Sequence, residues 1–159
     1  TQADIATMVA EAVELAGIEL RRRQVRLNQI VPSRLPTVHV DPILIEQVLV
    51  NLMKNAAESI DNAQRPSTQR QVELRVHQEK EEGQNVVMFS VSDSGPGLAP
   101  EVLEHLFEAF YSTKSEGMGI GLNLCRSIVE SHQGRMRAEN LYNGEQITGC
   151  RFSFWIPAR

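Results

Sequence analysis

Val91-Ser92-Asp93-Ser94-Gly95-Pro96-Gly97-Leu98 carries an apolar run into a carboxylate and then into a turn punctuated by two glycines. Asp, Ser, Gly and Pro all favour turns, so one reading is a plain strand end. The other is a site. A buried carboxylate at a strand end can accept a hydrogen bond from an exocyclic amine, and glycines let a flat base approach the backbone. Adenine has that edge and that shape. Outward from this stretch, residues 86–92 and 71–77 read as strands, and Glu79-Lys80-Glu81-Glu82-Gly83 as the solvated tip of the hairpin between them.

Upstream, apolar residues recur at helical spacing over residues 4–23, with Asp4 as a cap. Residues 25–30 and 38–40 read as a hairpin-like pair interrupted by Pro32 and Pro36. Asp41-Pro42 opens an apolar-rich helix to about residue 61, since Asp caps and Pro at the first helical position loses no hydrogen bond. Residues 62–69 read as a loop. Downstream come a short helix over residues 100–107, a loop over 110–118, a helix over 120–132, and strands over 135–141 and 148–156. Helices and strands are mixed without strict alternation. The expected fold class is therefore α+β, a two-layer sandwich with a mixed, mostly antiparallel sheet covered on one face by helices.

The chain's 159 residues suit a single domain, and 42% apolar with 23% charged residues exclude both disorder and a disulfide scaffold. The net charge is −4, and Arg21-Arg22-Arg23 is the longest basic run. That run closes a helix, where cations favour the macrodipole, so nucleic acid is not an expected partner. Cys125 and Cys150 lie far apart among apolar residues and read as a reduced pair. No apolar run reaches the roughly 20 residues a membrane span needs, so no membrane contact is expected. A chain that begins directly in a helix reads as a fragment of a longer protein.

Two further stretches carry candidate chemistry. In the helix over residues 41–61, Gln47, Asn51, Asn55 and Glu58 fall on one stripe. That stripe is either a solvated face or a pair of amides presenting oxygens to a hard cation such as Mg²⁺. Thr113-Lys114-Ser115-Glu116-Gly117-Met118-Gly119-Ile120-Gly121-Leu122 precedes a helix. It is either a helix-starting loop or a set of backbone N–H groups aimed at phosphate, beside the helix's positive end.

The order of these pieces resembles the N, G1, F and G2 boxes of sensor histidine kinase catalytic domains. The pieces are an amide-bearing helix, Asp-x-Gly-x-Gly, Leu106-Phe107-Glu108-Ala109-Phe110-Tyr111-Ser112-Thr113-Lys114 and the Gly-x-Gly-x-Gly helix start. Such domains share the Bergerat ATP-binding fold with gyrase, mismatch-repair and chaperone ATPases. The likeness spans nearly the whole chain and looks closest to oxygen- and nitrogen-regulating sensor kinases with a short lid. It implies a single catalytic ATP-binding domain over residues 1–159, with ATP and Mg²⁺ as ligands.

Residue by residue, the resemblance implies that Asn55 binds Mg²⁺, with Asn51 beside it and Lys54 reaching a phosphate. Asp93 takes the adenine amino group, and Gly95, Gly97 and Leu98 form the pocket wall. Phe107 and Phe110 hinge the lid; as residues alone, the two phenylalanines would equally be core. Ser112, Thr113 and Lys114 meet the phosphates, and Gly117, Gly119, Gly121 and Leu122 wrap the triphosphate. Gly149-Cys150-Arg151-Phe152 resembles the final glycine box but has Cys and Arg where relatives often have Thr, which removes the usual hydroxyl near adenine.

Water-splitting and serine-phosphorylating members of the superfamily are expected to carry a Glu one turn before the metal-binding Asn; here Asn51 stands there. An imidazole is already a nucleophile, so a histidine acceptor fits. Glu46 reads as a surface or interdomain residue. His39, His77, His105 and His132 do not sit in a phosphoacceptor pattern. The expected activity is a protein-histidine kinase of a two-component system. It would transfer the γ-phosphoryl group to a histidine on its own separate dimerisation domain, for onward transfer to a response regulator. The fragment is expected to be a monomer and the full protein a homodimer. The expected location is cytoplasmic, including as the cytoplasmic part of a membrane-bound sensor. Rival readings are a nucleotide-sensing module without transfer, and a serine kinase or ATPase.

Overall fold

A computed structural model describes residues 1–107 and 118–158, the side chains of 118–120 excepted. The elements run β1 (Gln2–Ala3), α1 (Ile5–Arg22), β2 (Arg26–Ile30), β3 (Val38–His39), α2 (Pro42–Asn62), β4 (Gln71–Glu81), β5 (Gln84–Asp93), α3 (Pro100–His105), α4 (Met118–Ser131), β6 (Arg135–Asn143) and β7 (Gln146–Pro157). A single 3₁₀ turn, Ser67–Gln69, interrupts the loop before β4.

Local chemistry sets the helix ends. Asp4 accepts from the Thr7 N–H at 3.0 Å and the Thr7 hydroxyl at 2.7 Å, and α1 closes on Arg21 and Arg22. Asp41 accepts from the Ile43 N–H at 3.0 Å while Pro42 takes the first helical position. Each helix then presents an apolar stripe: Met8, Ala12, Ala16 and Leu20 on α1, and Ile45, Leu49, Leu52, Ala56 and Ile60 on α2 are buried.

The main sheet has the order β2-β4-β5-β7-β6; β2 runs parallel to β4 and every other pair is antiparallel. Alternation sends Val72, Leu74 and Val76, then Val87, Phe89 and Val91, then Phe152, Phe154 and Ile156 to the helix-covered face. Phe89 and Phe154 stack there with ring centroids 4.8 Å apart. The mixed sheet packed against helices is the architecture expected from the sequence.

Two local expectations are corrected. Residues 25–30 and 38–40 do not pair with each other: β2 joins the main sheet at its edge, and β3 pairs antiparallel with β1. Pro32 and Pro36 stand between them, where neither can donate to a ladder. The hairpin tip expected over residues 79–83 is strand through Glu81, with Glu82 and Gly83 at positive φ of 52° and 77° making the turn.

An ionic cluster ties the ends of the helices to the sheet. Asp61 accepts from Arg23 at 2.8 Å and from Arg70 at 2.6 Å, and Glu19 accepts from Arg23 at 2.7 Å. Arg70 also donates to the carbonyls of Arg23 at 2.6 Å and Arg65 at 2.9 Å, so one guanidinium satisfies the loop that leaves α2.

Candidate functional site

At one end of the sheet, register aligns four residues across four strands. Val72 pairs with Asp93, Asp93 with Cys150, and Cys150 with Asn140. Directly opposed residues point to the same face, so the Asp93 carboxylate, the Cys150 thiol and the Asn140 carboxamide form one row. Asp93 is 7% exposed, which is costly for a carboxylate unless it is bonded, and its Oδ1 accepts from the Gly95 N–H at 2.8 Å. Burial, and then the Asp93 carboxylate, push the Cys150 thiol up to about 12. It is a packing group here.

The glycines of the turn are explained by what a side chain would strike. A Cβ on Gly95 would lie 2.6 Å from the Ser59 hydroxyl and 3.0 Å from Asp93 Oδ1, so this residue is wedged between α2 and the carboxylate. Gly97 has φ of 78°, and a Cβ there would lie 2.4 Å from Ile147 Cγ2 and 2.8 Å from Asn140 Oδ1. Asn140 accepts from the Leu98 N–H at 2.8 Å and donates to the Leu98 carbonyl at 2.7 Å. The near end of the turn is held too. The Ser94 carbonyl accepts from Arg65 at 3.1 Å, and the Ser94 hydroxyl donates to the Gln69 carbonyl.

On α2, Gln47 is exposed and Asn51, Asn55 and Glu58 are half-buried. Asn51 donates to the Cys125 sulfur of α4 at 3.6 Å. Ser59, four residues beyond Asn55, meets Gly95. The stripe therefore touches α4 at one end and the Asp93 turn at the other, about 12 Å apart along the helix, with Asn55 midway. Lys54 is exposed. Glu46 faces Glu11 of α1, and burial followed by that second carboxyl raises its pKa, so it belongs to the seam between α1 and α2.

Phe107 packs edge-on against Phe152 of β7, with centroids 6.4 Å apart, and Leu106 beside it is buried. Leu98 is half-buried and Leu122 buried. Helix α4 is helical from Met118, so Gly119 and Gly121 lie in its first turns rather than in a loop before it, and a Cβ on Gly121 would meet open space. Phe110, Ser112, Thr113, Lys114 and Gly117 lie outside the described residues.

At the far end of α4, His132 Nδ1–H donates to the Ile128 carbonyl at 2.7 Å, and its Nε2 accepts from the Asp41 N–H at 3.1 Å. Both ring nitrogens are thus committed to tying α4 to the cap of α2. The helix ends with Gln133 at φ of 63°, because Gly134 is needed elsewhere: a Cβ there would lie 1.9 Å from the Trp155 carbonyl. Among the described residues, no group of three His, Cys, Asp or Glu side chains could hold a metal, and no helix is long and apolar enough to cross a membrane.

Sequence reasoning missed Ser59, Asn140 and Ile147. Ser59 was legible, since it continues the 51–55 stripe by another four residues. Asn140 and Ile147 reach the turn only through strand register, for which the sequence carries no local signal.

Comparison with known proteins agrees with this fold. Residues 40–159 match the family model described as histidine kinase-, DNA gyrase B- and HSP90-like ATPase. The C4-dicarboxylate transport sensor protein DctS of Rhodobacter capsulatus is 42% identical over 133 residues, which are 84% of this chain and 19% of that protein. The sensor protein FixL of Bradyrhizobium diazoefficiens is 35% identical over 154 residues, 97% of this chain and 28% of that protein. The chain thus spans under a third of the length of these curated relatives. The solved catalytic domain of histidine kinase ThkA superposes with a TM-score of 0.77 at 29% identity, covering 99% of this chain and 95% of that one. The mycobacterial sensor histidine kinase MprB superposes with a TM-score of 0.81 at 21% identity, covering 100% and 97%.

Proposed function

Because the chain belongs to the histidine kinase-, DNA gyrase B- and HSP90-like ATPase family, we propose that it is the ATP-binding catalytic domain of a two-component sensor histidine kinase, passing the γ-phosphoryl group of ATP to a histidine on the protein's own dimerisation domain. The observation that carries this reading is the α2 stripe. Asn51 donates to Cys125 of α4 and Ser59 lies against Gly95 of the Asp93 turn, so Asn55, between them on α2, is flanked by the turn whose carboxylate suits adenine and by the helix whose start suits phosphate.

The division of labour is the one that the family resemblance implies. The Asp93 carboxylate accepts from the exocyclic amino group of adenine while Gly95, Gly97 and Leu98 close over the ring. The backbone N–H groups at the start of α4, with Gly119, Gly121 and Leu122, receive phosphate oxygens. Phe107, packed on Phe152, takes the hinge role that the family resemblance implies for it and Phe110, with Ser112, Thr113, Lys114 and Gly117 assigned to the phosphates by the same resemblance. Lys54, exposed on α2, reaches a phosphate.

The donor set fits Mg²⁺. That ion takes few protein ligands and completes its shell with water and phosphate, so one amide oxygen from Asn55 suffices without a cluster of acidic or histidine ligands. When bound, it neutralises charge developing on the phosphoryl oxygens. Asn51 stands where a general base would be needed to split water. A carboxamide engaged with a thiol cannot take a proton, which supports an imidazole acceptor over water or serine. Domain motion in the longer protein then brings the acceptor histidine to the γ-phosphate, and a response regulator receives the group afterwards.

The test mixes this chain with the separately produced dimerisation domain and γ-labelled ATP. Acid-labile, base-stable label on the partner is expected, and Asn55→Ala should abolish it while leaving the melting temperature within a few degrees. Transfer that survives Asn55→Ala would defeat the metal role. Label on serine, or rapid phosphate release without a partner, would defeat the histidine kinase reading.

A further inference from the structure

Asp93 and Asn140 occupy the same row of the sheet two strands apart, separated by Cys150. Neighbouring strands lie about 4.8 Å apart, so roughly 10 Å separates their backbones. The turn from Ser94 to Leu98 crosses that distance, leaving β5 at Asp93 and landing on β6 at Asn140. Beneath it Gly149 must lack a side chain, since a Cβ there would lie 1.9 Å from the Asp93 carbonyl.

The landing is a two-bond exchange. Asn140 accepts from the Leu98 N–H at 2.8 Å and donates to the Leu98 carbonyl at 2.7 Å, as a paired strand residue would. Apart from the Leu98 side chain, which packs against the main core, the backbone of this half of the turn has few restraints among the described residues. Pro96 and Ala99 are exposed and Pro96 has no N–H to give, while Gly97 has no side chain and leans on Ile147 and Asn140. From Leu98 the chain enters α3 at once, the Ala99 carbonyl accepting from Val102 and Leu103 at 3.0 Å each.

We propose that Asn140 is a positioning residue for nucleotide recognition: it fixes the wall opposite Asp93 by holding Leu98 on both backbone edges. The proposal rests on the nucleotide reading given above. Asn140 acts on the base through Leu98, to which it gives one hydrogen bond and from which it accepts another. Without it, ordering the turn falls on the ligand, and affinity drops by that amount.

The experiment measures the affinity of this chain for a fluorescent ATP analogue, competition by tripolyphosphate, and hydrogen exchange at the Leu98 amide, in the parent, Asn140→Ala and Asn140→Asp. Two neutral hydrogen bonds worth about fivefold each predict roughly 25-fold weaker analogue binding in Asn140→Ala. Asn140→Asp keeps the acceptor but sets a carboxylate against the Leu98 carbonyl, and is expected to lose at least as much. Tripolyphosphate affinity should stay at the parent value in both, because only the base wall is released. A general loss of structure would weaken both ligands together and speed exchange at core amides such as Phe89. Should Asn140→Ala fold poorly, the near-isosteric Asp variant carries the test. Parent-like analogue affinity in a folded variant whose Leu98 amide exchanges faster would overturn the role of Asn140 and leave the nucleotide reading standing. A parent chain indifferent to adenine nucleotides would overturn both.

Discussion

Replacing Gly97 by Ala puts a methyl group where the backbone and two neighbours leave no room. At φ of 78° an L-residue is in the left-handed region, which costs roughly 1–2 kcal/mol. The new Cβ would lie 2.4 Å from Ile147 Cγ2, more than 1 Å inside contact distance, and 2.8 Å from Asn140 Oδ1. Relieving such overpacking typically costs about 1–3 kcal/mol. Together they come to roughly 2–5 kcal/mol, a large part of the about 5–15 kcal/mol that holds a domain folded. For a domain of this size each kcal/mol lowers the melting temperature by about 2–4 °C, so a fall of roughly 4–20 °C is expected by calorimetry. The two contributions separate in a double-mutant cycle with Ile147→Ala. Removing the obstructing methyl should recover the packing part, a favourable coupling of about 1–3 kcal/mol, and leave the backbone part in place. A Gly97→Ala chain that melts within 1 °C of the parent and shows no coupling to position 147 would refute the reasoning about this turn.

Acid should weaken the fold through the Glu19–Arg23–Asp61–Arg70 cluster. Arg22 and then Arg23 hold Glu19 below its ordinary value near 4.5, and Arg70 and then Arg23 hold Asp61 below its ordinary value near 3.8. A depressed carboxylate contributes stability that is present above the unfolded value and lost as pH falls through the folded one. Asp61→Asn should therefore flatten the dependence of melting temperature on pH below about 3.8, and an unchanged slope would count against the cluster. Glu46 has the opposite sign: burial and Glu11 raise its pKa, so Glu46→Gln should stabilise the chain at neutral pH, with the gain vanishing as pH falls below the ordinary carboxylate range. The Cys150 thiol, at about 12, should be only about 10⁻⁴ ionised at pH 8 and resist iodoacetamide until the chain unfolds; rapid native-state alkylation would contradict its burial.

Much of the fold was legible because its long elements are strongly patterned. The α2 helix announces itself by Asp41-Pro42 and the stripe of Ile45, Leu49 and Leu52, and β5 and β7 by runs of Val and Phe. Strand partnership was less so. Nothing local in residues 26–30 says that they run parallel to β4, since that pairing is fixed by α1 and α2 packing over the sheet. The site shows the same division. Asp93, Gly95 and Gly97 carry a contiguous signal, whereas Asn140 joins them through a register set two strands away. The Asn51–Cys125 contact likewise depends on how α4 docks, which helical spacing within α2 cannot report.

The central claim is that the α2 amides, the Asp93 turn and the start of α4 surround one adenine nucleotide. Its most direct test is an NMR titration of the labelled chain with a non-hydrolysable ATP analogue and Mg²⁺, following the backbone amides of Asn55, Asp93, Leu98 and Gly121. The account predicts that all four move along a single saturation curve, that withholding Mg²⁺ weakens binding and removes the Asn55 response, and that Asp93→Asn abolishes all of them. Shifts saturating at unrelated concentrations, or Asn55 and Asp93 answering to different ligands, would contradict it.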